Sequence, residues 1–331
     1  MLISLTSIGV IGGGAWGTAL ANAAAVAGRD VVLWMRDAAQ SERLQTTRVN
    51  ARYLPGIRLH DRVRATTSPD ELYVAGAILL VTPAQTVRQT VERFSSVLAA
   101  DAPLVVCAKG IERGTGRFLT DVAVAVRPNA PVAILSGPSF AEDVARGLPT
   151  AVTLAAREAP VAAALAGALS GPTFRVYRGT DVRGVEIGGA AKNVLAIAAG
   201  IVQGRGLGES AKAALIARGF AELMRFARAY GGLPETLMGL SGLGDLILTC
   251  GSSQSRNFVF GERLGRGAAV AEASGGKLAE GAFTASVLVD LARAKAVDMP
   301  IAAAVAAVVA ERLAIDEAID ALMTRPLRAE H

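Results

Sequence analysis

Six residues near the start, Gly12-Gly13-Gly14-Ala15-Trp16-Gly17, restrict what this chain can become more than any other stretch. They follow the apolar run Ser7 to Ile11, which predicts a short buried strand. They precede Thr18 to Ala27, which predicts a helix stopped by Gly28, and Val31 to Trp34 predicts a second strand. Gly12, Gly14 and Gly17 therefore satisfy G-x-G-x-x-G between a strand and a helix, where the pattern has a physical meaning. Glycine permits the tight turn and lets a pyrophosphate approach the helix N-terminus, whose free N–H groups and dipole favour anions. An ordinary glycine turn would match the spacing but would not need the strand, helix and strand around it.

The end of the second strand usually selects the dinucleotide. An acidic side chain there holds the ribose hydroxyls of NAD, whereas this chain reads Trp34-Met35-Arg36-Asp37, and Arg36 suits a 2′-phosphate. Asp37 either caps the next helix or turns inward and admits NAD, so NADP(H) and NAD(H) both stay open. Further strands are predicted at Ala77 to Val81, Leu104 to Cys107 and Val132 to Leu135, with outer strands at Val152 to Leu154 and Phe174 to Tyr177. This is the pattern of a Rossmann-type, doubly wound sheet. Ligands of such sheets lie at the carboxyl ends of the strands, so Thr82-Pro83, Lys109 and the turn from Gly137 through Ser139 to Ala141 should line one crevice.

After Asp181 the strand patterns stop, and helical runs are expected at 185–203, 209–230, 234–250, 255–264, 284–297 and 301–323. The fold class is therefore α/β, a sheet domain over 1–182 followed by an all-helical substrate domain over 183–331. The first of those helices, VEIGGAAKNVLAIAAGIVQG, reads as a long apolar helix of Ala, Val and Ile carrying one ammonium group, Lys192, with Asn193 beside it. A lysine there either reaches solvent at the helix edge or faces a cleft where its proton is used. The chain holds five lysines among 34 Lys and Arg residues, and lysine, unlike arginine, gives up its proton when its surroundings demand it.

Three polar stretches in the helical half stand out: Ser241 to Cys250, with Asp245 and Thr249 four apart and so on one helix face; Ser252 to Asn257, with Arg256 at a helix start; and Ala279-Glu280-Gly281. A net charge of +5 favours anionic small molecules, and the scattered arginines form no track for nucleic acid. Two cysteines without pairing or metal-ligand spacing point to a reducing compartment and no metal. His60 and His331 are the only histidines, so a histidine-based acid/base device would rest on His60. The opening lacks a basic leader, and Ile301 to Ala310 is too short to span a bilayer, so a cytoplasmic protein with no membrane partner is expected.

The blocks GGGAWGTALA, CAKGIE, ILSGPSFAEDVARGLPTA, GVEIGGAAKNVLAIAAGI, GLGDLILTC, SQSRN and AEG, in this order, resemble the bacterial NAD(P)-dependent sn-glycerol-3-phosphate dehydrogenases over nearly the whole chain. The resemblance implies reversible hydride transfer between NAD(P)H and dihydroxyacetone phosphate, giving sn-glycerol 3-phosphate for glycerophospholipid synthesis, with Lys192 as the catalytic acid/base. It assigns substrate to Lys109, Gly137, Ser139, Lys192, Asp245, Ser255, Arg256 and Asn257. It assigns cofactor to Gly12, Gly14, Ala15, Trp16, Gly17, Arg36, Tyr53, Lys109, Ala141, Arg256, Leu278 and Glu280. It also implies a homodimer, although alanine-rich exposed helices suit a monomer equally. Two other readings compete. A dehydrogenase of β-hydroxyacids would want an arginine facing a carboxylate and would not need SQSRN. A cofactor sensor without chemistry would not need Lys192, Asn193 and Asp245 together.

Overall fold

The computed structural model describes residues 5–275 and 279–326. Its sheet has eight strands: β1 (Ser7–Ile11), β2 (Asp30–Trp34), β3 (Val63–Thr66), β4 (Ala77–Leu80), β5 (Leu104–Val106), β6 (Val132–Ser136), β7 (Thr150–Ala156) and β8 (Phe174–Gly179). They lie in the order β3-β2-β1-β4-β5-β6-β7-β8. Every neighbouring pair is parallel except β6 and β7. The helices of this half are α1 (Ala15–Val26), α2 (Ala38–Thr47), α3 (Val87–Phe94), α4 (Leu119–Val126), α5 (Ala141–Ala145) and α6 (Ala159–Leu169). The connection over 137–149, which carries only the short α5, joins β6 to β7, and β7 returns antiparallel.

Successive residues of the central strands face opposite layers. Val10, Leu33, Leu79 and Val105 pack with Leu20 and Leu165 on one side. Ile11, Trp34, Ile78, Leu80 and Val106 pack with Val91 and Phe94 on the other. A sheet covered on both faces needs near-continuous apolar strands, and that is why its strands were readable.

The helical half holds α7 (Val182–Gly204), α8 (Glu209–Ala229), α9 (Pro234–Met238), α10 (Asp245–Cys250), α11 (Arg256–Gly265), α12 (Val270–Ala273), α13 (Glu280–Ala294), α14 (Pro300–Val309) and α15 (Ile315–Met323). α7 is long and apolar enough to cross a membrane, yet that apolar stretch is wholly buried inside the protein. Two glycines on α7 and two on α11, each pair four residues apart, bring the helix backbones into contact. A Cβ on Gly200 would meet the Phe258 carbonyl oxygen at 2.1 Å, and one on Gly261 would meet that of Ile197 at 2.0 Å. Gly204 and Gly265 repeat the arrangement one turn later, against the Glu262 and Ile201 carbonyls at 2.2 and 2.5 Å. Small residues spaced this way allow close helix crossing in any medium.

Several expectations need correction. Strand β3 and helix α4 were not anticipated. The helix expected over 234–250 is broken at Gly239 and includes a π-helical turn, Leu240–Gly244, just before Asp245. The helix expected over 301–323 is two helices, α14 and α15, with Glu311 at φ 55° between them. The helix expected from residue 284 begins at Glu280.

Candidate active site

The glycines of the first turn meet different surroundings. Gly12 has φ +125° and lies against the Val81 carbonyl, where a Cβ would come within 2.5 Å. A Cβ on Gly17 would sit 1.8 Å from the Gly12 oxygen, so only glycine lets α1 start so close to β1. Gly14 faces open space with no atom within 4 Å of its missing Cβ. The start of α1 has no side-chain cap and no acidic residue in its first turn, so its N–H groups remain available to an anion. From below, the side-chain amides of Gln40 and Asn50 donate to the Gly13 carbonyl at 3.3 and 3.1 Å, and Asn50 also donates to the Thr18 hydroxyl at 2.8 Å. This turn fits a dinucleotide phosphate, and Ala15 and Trp16 are half-buried beside it.

Beyond the end of β2, Arg36 is exposed with no hydrogen-bond or ion-pair partner among the described residues. Asp37 is engaged otherwise, since its carboxylate caps α2 by accepting from the Gln40 N–H at 3.0 Å. Tyr53 is 40% exposed, with the Arg52 guanidinium 5.2 Å from its ring centre. Arg36 and Tyr53 share no hydrogen bond or ion pair with the lysine cluster described next. Leu278 lies outside the described residues.

The helical half meets the sheet at Asp245. Its buried carboxylate bridges two ammonium groups: Oδ1 accepts from Lys192 Nζ, and Oδ2 from Lys109 Nζ at 2.7 Å. Lys192 also donates to the Thr249 hydroxyl at 2.7 Å, and Lys109 to the Gly137 carbonyl at 3.3 Å. Gly137 has φ +151°, and a Cβ there would strike the Val152 backbone at 2.8 Å. Ser139 closes the turn by donating to the same Gly137 oxygen at 3.1 Å. Lys192 is 6% exposed, and burial lowers its pKa to about 7, with Lys109 adding to the fall and Asp245 opposing it.

α11 begins beside this cluster. Ser255 Oγ caps it by accepting from the Phe258 N–H at 3.2 Å, and Asn257 Oδ1 accepts from the Gly281 N–H at 3.0 Å. The Asn257 amide nitrogen and the exposed Arg256 guanidinium therefore remain for a ligand. Glu280 accepts from the Ala84 N–H at 3.4 Å; burial raises its pKa, opposed by the positive charges of Arg256, Lys109 and Lys192. Ala141 opens α5 at the rim of the crevice. His60 lies on an exposed loop, and among the described residues no group of three or more His, Cys, Asp or Glu side chains has metal-binding geometry.

Sequence reasoning missed two supports. The Gln40–Asn50 pair under the glycine turn left no pattern to read. Glu186 did: it is a carboxylate in an apolar helix, the same signal as Lys192. It is 2% exposed and accepts from the Thr120 N–H and hydroxyl at 2.9 and 2.7 Å, with Arg183 at 3.2 Å. Burial pushes it up to about 7. It ties α7 to the first turn of α4.

A glycine turn that fits a dinucleotide phosphate, on a doubly wound sheet whose Lys109 shares Asp245 with a buried lysine of pKa about 7, is the arrangement of a dinucleotide-dependent oxidoreductase of two parts. Residues 7–162 match the family described as NAD-dependent glycerol-3-phosphate dehydrogenase N-terminus, and residues 181–320 match its C-terminus. The chain belongs to that family. Among its relatives, the glycerol-3-phosphate dehydrogenase [NAD(P)+] of Methylobacterium radiotolerans is 66% identical over 98% of both chains. That of Rhodopseudomonas palustris is 58% identical over 99% of this chain and 100% of its own. The crystal structure of glycerol-3-phosphate dehydrogenase from Coxiella burnetii superposes with a TM-score of 0.91 at 38% identity, covering 96% of this chain and 99% of that one.

Proposed function

We propose that this chain interconverts dihydroxyacetone phosphate and sn-glycerol 3-phosphate with NAD(P)H, Lys192 being the acid/base. The observation that carries the reading is the buried Lys192 ammonium, held by Asp245 and Thr249 and close to its neutral form at physiological pH. In reduction the ammonium donates to the alkoxide forming at the carbonyl oxygen, and in oxidation the amine removes the hydroxyl proton. Asp245 and Thr249 fix the direction of Nζ, and Lys109 adds positive charge at the same point. Arg256, Asn257 and the start of α11 take the substrate phosphate, with Ser255 setting that helix start and Gly137 and Ser139 shaping the opposite wall. Binding energy from this remote phosphate positions the carbonyl.

The dinucleotide supplies or accepts the hydride when bound. Gly12, Gly14, Ala15, Trp16 and Gly17 hold its pyrophosphate, Arg36 and Tyr53 its adenosine end, and Lys109, Ala141, Arg256, Leu278 and Glu280 complete the site. The unpartnered Arg36 and the engaged Asp37 favour NADP(H) over NAD(H). The division near residue 182 separates the cofactor half from the substrate half. The product suits glycerophospholipid synthesis in the cytoplasm, and the protein self-associates as a homodimer. The test is NADPH oxidation with dihydroxyacetone phosphate against unphosphorylated dihydroxyacetone, with NADH in parallel. Rapid oxidation with the phosphorylated ketone alone supports the proposal; no oxidation by protein that binds NADPH removes it.

A further inference from the structure

We infer that Ser136 is a specificity-determining residue whose hydroxyl recognises the free hydroxymethyl group of the ketone substrate; the inference rests on the function proposed above. Ser136 is the last residue of β6, at the carboxyl end of the strand, where a doubly wound sheet places its ligands. It is 3% exposed, and its Oγ has no hydrogen-bond partner among the described residues. A buried hydroxyl without a partner is costly and calls for an explanation.

The surroundings supply one. A Cβ on Gly189 would come within 2.6 Å of Ser136 Oγ and 3.6 Å of Lys109 Cγ, so the hydroxyl lies against bare α7 backbone beside the Lys109 stem. Gly189 is three residues before Lys192, hence on the same helix face. The residue after Ser136 is Gly137, whose carbonyl accepts from Lys109. The unpartnered hydroxyl thus borders the crevice in which both lysines converge on Asp245.

Dihydroxyacetone phosphate has three polar groups. Its phosphate is a dianion and needs the charge of Arg256 and the α11 start, which a neutral buried serine does not offer. Its carbonyl oxygen belongs to Lys192. The remaining group is a neutral hydroxyl, which both donates and accepts, and a serine hydroxyl is its complement. One such hydrogen bond separates the natural ketone from an analogue lacking that hydroxyl, because the analogue leaves Ser136 unpaired again.

The experiment compares kcat/KM for dihydroxyacetone phosphate and for hydroxyacetone phosphate, in which a methyl replaces the hydroxymethyl group, in wild type, Ser136→Ala and Ser136→Cys. Wild type should prefer dihydroxyacetone phosphate, and both variants should lose about ten-fold of that preference, the size of one neutral hydrogen bond. Rates on hydroxyacetone phosphate should stay within about two-fold of wild type, which also shows that the variants fold. An unchanged ratio overturns the inference, as does an equal fall for both ketones, which marks a structural serine. Should wild type reduce neither ketone, the proposed function fails and this inference with it. A wild type active on dihydroxyacetone phosphate, with a ratio that Ser136 does not move, sinks the inference alone.

Discussion

Replacing Gly261 by alanine should separate the two halves of the site without touching either. The new methyl would lie 2.0 Å from the Ile197 carbonyl oxygen and 2.8 and 2.9 Å from the Ile197 carbonyl carbon and Cα, all backbone atoms that cannot turn aside. Ordinary contact begins at 3.4 Å, so α7 and α11 must part by about 1.4 Å. Ile197 is five residues after Lys192, and Gly261 is five after Arg256, so the wedge opens beside the proposed acid and phosphate groups together. Overpacking of this kind costs about 1–3 kcal/mol of stability, a fall of several degrees in Tm. A misplacement near 1 Å costs on the order of a hundred-fold in rate. The assay is kcat/KM for dihydroxyacetone phosphate alongside Tm and NADPH affinity. Affinity should fall far less than kcat/KM, because the glycine turn lies on β1 and α1 and, of the proposed cofactor residues, Arg256 stands on the displaced helix. Gly167→Ala is the control, since a Cβ there meets nothing within 4 Å. A Gly261→Ala enzyme within two-fold of wild type in kcat/KM would show that the helix contact does not set the site.

Two further outcomes follow from charge. With Lys192 near 7, kcat/KM for ketone reduction should fall as pH rises through about 7, where the ammonium is lost. Asp245→Asn removes the carboxylate that favours the charged lysine, so this limb should move to lower pH by about 1–3 units, and a limb that stays or moves up refutes the assignment. Glu186 has a folded-state pKa near 7, above its ordinary 4.5, so the folded chain keeps a proton that the unfolded chain releases in that window. Its contribution to stability is present below about 4.5 and lost as pH rises through 7. Glu186→Gln should therefore match wild type in unfolding free energy near pH 4.5 and exceed it above pH 7, by at most about 3 kcal/mol, and a variant less stable than wild type at pH 8 contradicts this.

What sequence revealed followed from how strongly burial or backbone geometry restricts residue choice. The glycine turn was legible because Gly12 and Gly17 have no substitute at their contacts, and the central strands because both faces are buried. Asp245 and Thr249 were readable as one helix face, and the structure puts both on Lys192. β3 was not, because it is an edge strand of only four residues that buries just its two ends, Val63 and Thr66. The antiparallel direction of β7 left no trace in composition, since its residues are buried in the same sheet whichever way the strand runs. The glycines of α7 and α11 were visible as letters, but each spacing acquires meaning only once the other helix faces it.

The complete burial of α7 also has a consequence for synthesis. The helices that cover it, α8, α10, α11, α13 and α14, all come later in the chain, so a segment apolar enough for a bilayer leaves the ribosome before its shelter exists. At about 5–20 residues per second, α14 follows the end of α7 by roughly 5–20 s. During that interval the nascent chain displays its longest apolar helix to the translation machinery. Early release by chaperones or truncation ahead of α11 should therefore leave aggregates rather than a free sheet domain.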